Sequence, residues 1–339
     1  MLRCAMGAGH RRVTATGRGA GAPHRHALSE WLSLLALTAM WGTSFLFTKV
    51  AVTALPVAWV VMARLGIGAL VLVALAWLLG RGVPRGGRLW LFFGLIAVVG
   101  NLLPFSLITW GQQAIESGLA GILMAVMPLA TLGLAHLFVP GERLTGRRVV
   151  GFLMGFVGVV VLIGPEALLA VGGEQAPLLP MLAVLAGALC YGTSAILARL
   201  RPPSDALSTA AATIGLASMF SVPMGLNGWL GGSVGVPPGE VTVAVVGAVL
   251  FLGLFSTATA MVVYFRLIRS AGPSFTSQLN YLIPLWAVAV GVFFLGEEPT
   301  LGHLLGLLLI LAGILWSRRS PPRRAPDGEG ALRTTRTGL

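Results

Sequence analysis

Trp41-Gly42-Thr43-Ser44-Phe45 interrupts an apolar run and returns 150 positions later as Tyr191-Gly192-Thr193-Ser194-Ala195. An aromatic ring, a glycine and two hydroxyls are poor filling for a helix face that looks at lipid. The same four-residue order met twice points to a chain built from two copies of one unit. Both copies sit in apolar stretches of about 20 residues, the length that crosses a bilayer as helix.

Outward from that motif the composition agrees. The 339 residues are 56% hydrophobic and 10% charged, with a mean hydropathy of +0.88, whereas a soluble domain is about 25% charged. The reading is an all-α polytopic membrane protein, in which each helix satisfies its own backbone and lipid covers the outside. Ten spans are predicted, roughly 31–50, 57–79, 89–110, 118–138, 148–164, 178–199, 207–229, 241–265, 273–295 and 300–317. Residues 1–28 form a basic tail expected to be disordered, with an upstream start ahead of Met6 or an organelle transit peptide as alternatives. Residues 319–339 form a second basic tail, rich in arginine and equally expected to be unstructured. Between them lie two units, 29–165 and 176–318.

The charge map sets the orientation. The net charge of +12 would point to nucleic acid in a soluble protein. Here every basic residue except Lys49 and Arg64 falls in a tail or connection on one side, and Glu116, Glu166, Glu174, Glu240, Glu297 and Glu298 fall on the other. By the positive-inside rule both termini are cytoplasmic, in what is read as a bacterial inner (plasma) membrane. The partners expected are a small-molecule substrate and anionic headgroups on the inner face, without nucleic acid; a homodimer is a further expectation. Cys4 and Cys190 build no disulfide framework, and no metal-ligand spacing or cofactor motif is present.

The two units share more than their opening motif. Pro128 and Pro284 lie 156 positions apart, and Glu142 and Glu297, Gly151 and Gly306, and Gly158 and Gly313 lie 155 apart. Each unit has five spans, an odd number, so the second enters the membrane from the opposite side and the repeat is inverted. Inverted repeats recur in secondary transporters, which hold substrate near the midplane and alternate access across it. A helix proline removes a hydrogen bond and permits a hinge, and hence Pro128 and Pro284 are hinge candidates.

These features, taken in order and duplicated, resemble the drug/metabolite transporter superfamily in its EamA-type ten-helix branch, over about 29–318. The resemblance implies two inverted five-helix repeats and a central cavity lined mainly by spans 1, 3, 4, 6, 8 and 9. It also implies export of small metabolites, amino acids or drugs.

Polar residues within spans supply the candidate cavity wall: Trp41, Thr43 and Ser44 in span 1, Asn101 and Trp110 in span 3, and Tyr191 and Thr193 in span 6. Tyr264 in span 8 and Gln278, Asn280 and Tyr281 in span 9 complete it. The aromatic faces can stack on a planar or apolar solute, and an amide in hydrocarbon must find protein or water. The alternative for each hydroxyl is a bond to its own helix. Arg64 is the intramembrane charge, able to bind a substrate carboxylate, pin helices or snorkel. Lys49 is expected to snorkel, and Gln112 and Gln113 to be interfacial. No Asp or Glu falls in a predicted span interior, which favours uniport or exchange over a buried-acid proton relay. A lipid-modifying enzyme would need a nucleophile, base or metal cluster, and none is seen. A receptor or structural role fits poorly with a duplicated unit that has no extramembrane domain.

Overall fold

The computed structural model describes residues 27–82, 84–139, 145–169, 178–230 and 241–318. Both basic tails, except Ala27 and Leu28, lie outside these residues, as do Glu142, Glu174 and Glu240. The described residues fold into helical rods and contain no strand. In chain order they are α1 (Leu28–Ala51), α2 (Val57–Leu78), α3 (Gly87–Gly111), α4 (Ser117–Phe138) and α5 (Gly146–Leu169). Then follow α6 (Leu178–Leu200), α7 (Ala206–Leu230), α8 (Val243–Gly272), α9 (Leu279–Leu295) and α10 (Leu301–Arg318).

Seven of the rods, α1 to α4 and α6 to α8, are long and apolar enough to cross a membrane. Among the described residues the other three carry shorter apolar stretches, Val149–Ile163, Leu279–Leu295 and Leu301–Trp316, where ten spans were expected. α9 begins only after the turn at Ser277-Gln278.

The rods pair crosswise. α1 packs on α8 and α9, and α6 packs on α3 and α4; α2 lies along α7, and α5 along α10. Small residues set the closest approaches, as they do between helices in lipid. On α5 and α10, a Cβ on Gly158 would lie 2.9 Å from the Gly306 carbonyl, and one on Gly306 would lie 2.8 Å from that of Gly158. Gly313 likewise abuts the Gly151 carbonyl. The glycines that recur in sequence thus meet reciprocally, first with last. The α2–α7 contact is aliphatic, with Leu65, Leu72, Ala210, Ile214 and Ala217 buried together.

Besides the π turn that ends α9 at Gly291–Leu295, two rods carry a π segment within their length. α3 widens to a π-helix over Val98–Leu102 and α8 over Leu254–Thr259, segments that begin 156 positions apart. In α3, Pro104 supplies no N–H for the Gly100 carbonyl, which loosens the turn. In each segment one side chain reaches back five residues. Asn101 Nδ2 donates to the Ile96 carbonyl at 3.2 Å, and Thr257 Oγ1 to the Leu252 carbonyl at 2.8 Å. Donor and acceptor both repeat at the same interval.

The prolines behave differently from one another. Each removes the N–H that would bond the carbonyl four residues back, at Met124 or Asn280. α4 breaks at Ala125-Val126, just before Pro128, and resumes at Met127. α9 runs unbroken through Pro284.

Candidate functional site

The opening motif lies where α1 crosses α8 and α9. Trp41 is half-buried; its Nε1 donates to the Ser256 carbonyl at 3.1 Å, and its ring lies 5.3 Å from that of Tyr264. Ser256 returns the bond, donating from Oγ to the Met40 carbonyl at 2.8 Å. This reciprocal pair staples α1 to the π segment of α8. Gly42 admits Trp286 of α9, since a Cβ there would fall 2.5 Å from the indole Cδ1. The same indole donates from Nε1 to Thr43 Oγ1 at 2.9 Å. Ser44 donates to the Trp41 carbonyl at 2.5 Å within its own helix.

The second copy lies where α6 crosses α3 and α4. A Cβ on Gly192 would meet the Thr131 amide nitrogen at 3.2 Å and Ala130 Cβ at 3.3 Å. Tyr191 meets the Phe105 ring edge-on at 6.5 Å between centroids, and Thr193 Oγ1 donates to the Leu189 carbonyl at 2.9 Å.

Arg64 sits between these two crossings. It is buried, so it does not snorkel. Its Nε donates to Thr257 Oγ1 at 3.1 Å, and its guanidinium carbon lies 3.8 Å from the centroid of the Phe105 ring. α2, α3, α6 and α8 thus converge on one cation. The sequence nominated Arg64 but not Phe105 or the role of Thr257, because neither residue type signals a partner.

The remaining candidates are spread out. Asn101 is buried and spends its donor on the π segment of α3. Gln278 stands in the turn before α9; Asn280 and Tyr281 fall in the first turn of α9, both half-buried. Trp110 is exposed near the end of α3. A hollow of about 330 Å³ opens between α2, α7 and α8, with Leu72, Leu79, Arg81, Asp205, Phe265 and Arg266 in its wall. No residue nominated from sequence lines it.

The acidic end of the bundle corrects two expectations. Lys49 does not snorkel, because its Nζ donates to the Gln112 and Ile115 carbonyls at 2.9 Å each, closing the C-terminus of α3. Gln112 is fully buried rather than interfacial, and its Nε2 donates to the Phe45 carbonyl at 2.8 Å. Beside them Glu297 reaches across to α4: its two carboxylate oxygens accept from the Ser117 and Gly118 N–H groups at 2.6 and 2.8 Å. These are orphan donors of a helix N-terminus, which a carboxylate satisfies well. Glu116 holds the N-cap position yet makes no side-chain cap. Burial pushes its carboxyl above the usual range, and the nearby Glu297 charge adds to this. Gly296 adopts φ +67°, the left-handed turn that folds Glu297 back, a conformation open to glycine.

At the opposite end Asp205 caps α7, accepting from the Ser208 N–H at 2.9 Å, and pairs with Arg81 at 3.5 Å. The Ser208 backbone bond is the main cause holding its carboxyl below the usual range.

Comparison with known proteins gives this geometry a family. A Bacillus subtilis protein named as the uncharacterized transporter YoaV is 25% identical over 294 residues, covering 86% of this chain and 98% of its own. A Streptantibioticus cattleyicolor protein named as a probable terminal-alkyne amino-acid exporter is 28% identical over 306 residues, covering 88% and 96%. A solved crystal structure shares the fold with a TM-score of 0.56 at 20% identity, covering 86% of this chain and 97% of its own. The EamA-like transporter family matches residues 28–164 and again 178–319. With its seven apolar helices, the chain therefore belongs to the EamA-like transporter family and is an integral, multi-pass membrane protein.

Proposed function

We propose that the protein is a secondary transporter, exporting small metabolites, amino acids or drugs across the cytoplasmic membrane by alternating access. In this reading all ten rods span the membrane as two inverted five-helix repeats, 29–165 and 176–318, and both termini are cytoplasmic. The crosswise pairing carries the proposal. α1 on α9 matches α6 on α4, and the repeat-equivalent glycines of α5 and α10 meet reciprocally, as elements related by a two-fold axis do. The equal register of the π segments in α3 and α8 supports the same symmetry.

Alternating access needs one end closed while the other gives way. The acidic end carries a closure: Glu297 holds the start of α4, and a Cβ on Gly118 would lie 3.3 Å from Val288 Cα of α9. Beyond its break α4 packs on α6 instead. The break before Pro128 is the hinge in this scheme, and Pro284 supplies a freed carbonyl in place of a break. The positive face of the bundle sits on anionic headgroups.

Purified protein in liposomes, screened with labelled amino acids and cationic drugs, tests the reading. Transport of at least one solute faster than in empty liposomes is expected. A broad panel in which nothing moves faster would sink it. The lack of a described acid in the span interiors points to uniport or exchange, and strong stimulation by an imposed proton gradient would overturn that part.

A further inference from the structure

The Arg64 guanidinium lies amid the bundle and meets only neutral groups. It is 9% exposed, its Nε donates to Thr257 Oγ1 at 3.1 Å, and its face rests 3.8 Å from the centroid of the Phe105 ring. Thr257 has already committed its own hydrogen to the Leu252 carbonyl at 2.8 Å, so it serves Arg64 as a fixed acceptor. Among the described residues the two terminal nitrogens of Arg64 find no hydrogen-bond partner and no carboxylate pairs with it.

An aromatic face and one hydrogen bond offset only part of what a cation loses on leaving water. The guanidinium edge, with its four N–H bonds, has no hydrogen-bond partner among the described side chains, and that edge is the one that grips a carboxylate through two parallel bonds.

Resting on the transporter reading, we infer that Arg64 is the substrate-binding cation, and that the solutes carried are small monocarboxylates with an apolar remainder. The charge count selects the class. The other intramembrane cation, Lys49, is committed to the Gln112 and Ile115 carbonyls, so a single positive charge faces the ligand. That matches a monoanion and leaves a dianionic phosphate ester half-neutralised. The ligand's remainder faces aromatic walls, Phe105 and, beyond it, Tyr191. Thr257 positions the guanidinium from the π segment of α8, a kind of bulge that recurs at functional sites. The cation is unmatched in the other half, since α7 contains no Lys or Arg.

The test uses full-length protein in two formats, counterflow in liposomes and ligand-induced thermal stabilisation in detergent. The probes are 4-methylpentanoate and 3-phenylpropanoate beside their amides, which differ in carrying a neutral head for a carboxylate. Wild type should prefer each acid over its amide by roughly tenfold or more, the equivalent of one charged hydrogen bond. Arg64→Gln should bring that ratio close to one, and Arg64→Lys should keep part of it. An Arg64→Gln protein that melts like wild type and keeps the acid preference overturns the site, and so does a wild type that takes acid and amide equally. If Arg64→Gln does not fold, Thr257→Val replaces it: a reduced acid-to-amide ratio supports the assignment, and an unchanged ratio sinks it. The two readings separate cleanly. Transport without acid preference removes the site and leaves the transporter. Stabilisation by acids that depends on Arg64, without transport of any solute, removes the transporter and leaves the site.

Discussion

Two crossings in this molecule are built on one plan and filled differently. At the first, Gly42 of α1 receives Trp286 of α9; at the second, Gly192 of α6 receives Ala130 of α4. Trp286 and Ala130 stand 156 positions apart, at the same register of the repeat. One crossing is closed by an indole that also donates to Thr43, the other by a methyl group, with Thr193 bonded to its own helix. The π segments follow the same rule. Asn101 and Thr257 both bond five residues back, but only Thr257 also receives Arg64. The lesson is that the backbone devices are duplicated while the side chains that do chemistry are not.

The largest effect expected is at the tighter crossing. Gly42→Ala puts a methyl against the ring and stem of Trp286, 2.5 Å from Cδ1 and 3.0 Å from Cβ, and should cost about 1–3 kcal/mol, as overpacking does. Gly192→Ala asks its neighbours to give a few tenths of an ångström and should cost about 1 kcal/mol or less. Heating each variant in detergent and measuring the folded fraction compares them. Equal losses would break the contrast between the crossings.

Next comes the shared hydroxyl. Arg64→Gln and Thr257→Val, separately and together, should be coupled by about 0.5–3 kcal/mol, whereas Arg64→Gln and Asn101→Leu should add to within about 0.5 kcal/mol. A double-mutant cycle on melting stability decides. Coupling of similar size in both cycles would mean that the two π segments are equivalent after all.

Removing the clasp at the acidic end should be milder. Glu297→Ala leaves two N–H groups of α4 uncapped and should cost about 0.5–2 kcal/mol. It should also raise the labelling rate of a Val288→Cys reporter at the α4–α9 contact. Unchanged labelling would deny Glu297 any part in keeping that end shut.

The smallest effect concerns the caps of α2 and α7. α2 follows Pro56 with no side-chain cap, whereas α7 has Asp205. The Asp205 carboxyl is held below its ordinary value. Its contribution is therefore complete above that ordinary value, and is lost as the pH falls through the lowered one. Asp205→Ala should cost about 1 kcal/mol near neutrality and nothing in strong acid, read as melting curves against pH. A difference that persists in strong acid would remove the ionised carboxylate as its cause.

What could be read in the chain beforehand was whatever leaves a local trace. The apolar runs, the doubled glycine-hydroxyl motif and the spaced glycines of α5 and α10 all write their pattern into neighbouring residues. The length of α9 did not, because the turn at Ser277-Gln278 contains neither glycine nor proline. Gln112 looked interfacial because it ends a span, and its burial depends on the Phe45 carbonyl, which is 67 positions away. Glu297 was noticed as a repeat marker, but nothing near it names Ser117 and Gly118 as its partners. The pairing of Arg64 with Thr257, 193 positions apart, is equally silent in the sequence.

The Glu297 clasp also sets a clock. Ser117 and its cap are separated by 180 positions, and at a synthesis rate of about 5–20 residues per second that interval is roughly 10–40 seconds. Throughout it the first turn of α4 has emerged while the carboxylate that completes it does not yet exist. In the nascent chain those N–H groups have only water, headgroups or a neighbouring polypeptide to bond. A ribosome stalled well past Phe138 but short of Glu297 would hold a chain whose α4 is fully made and still unsealed.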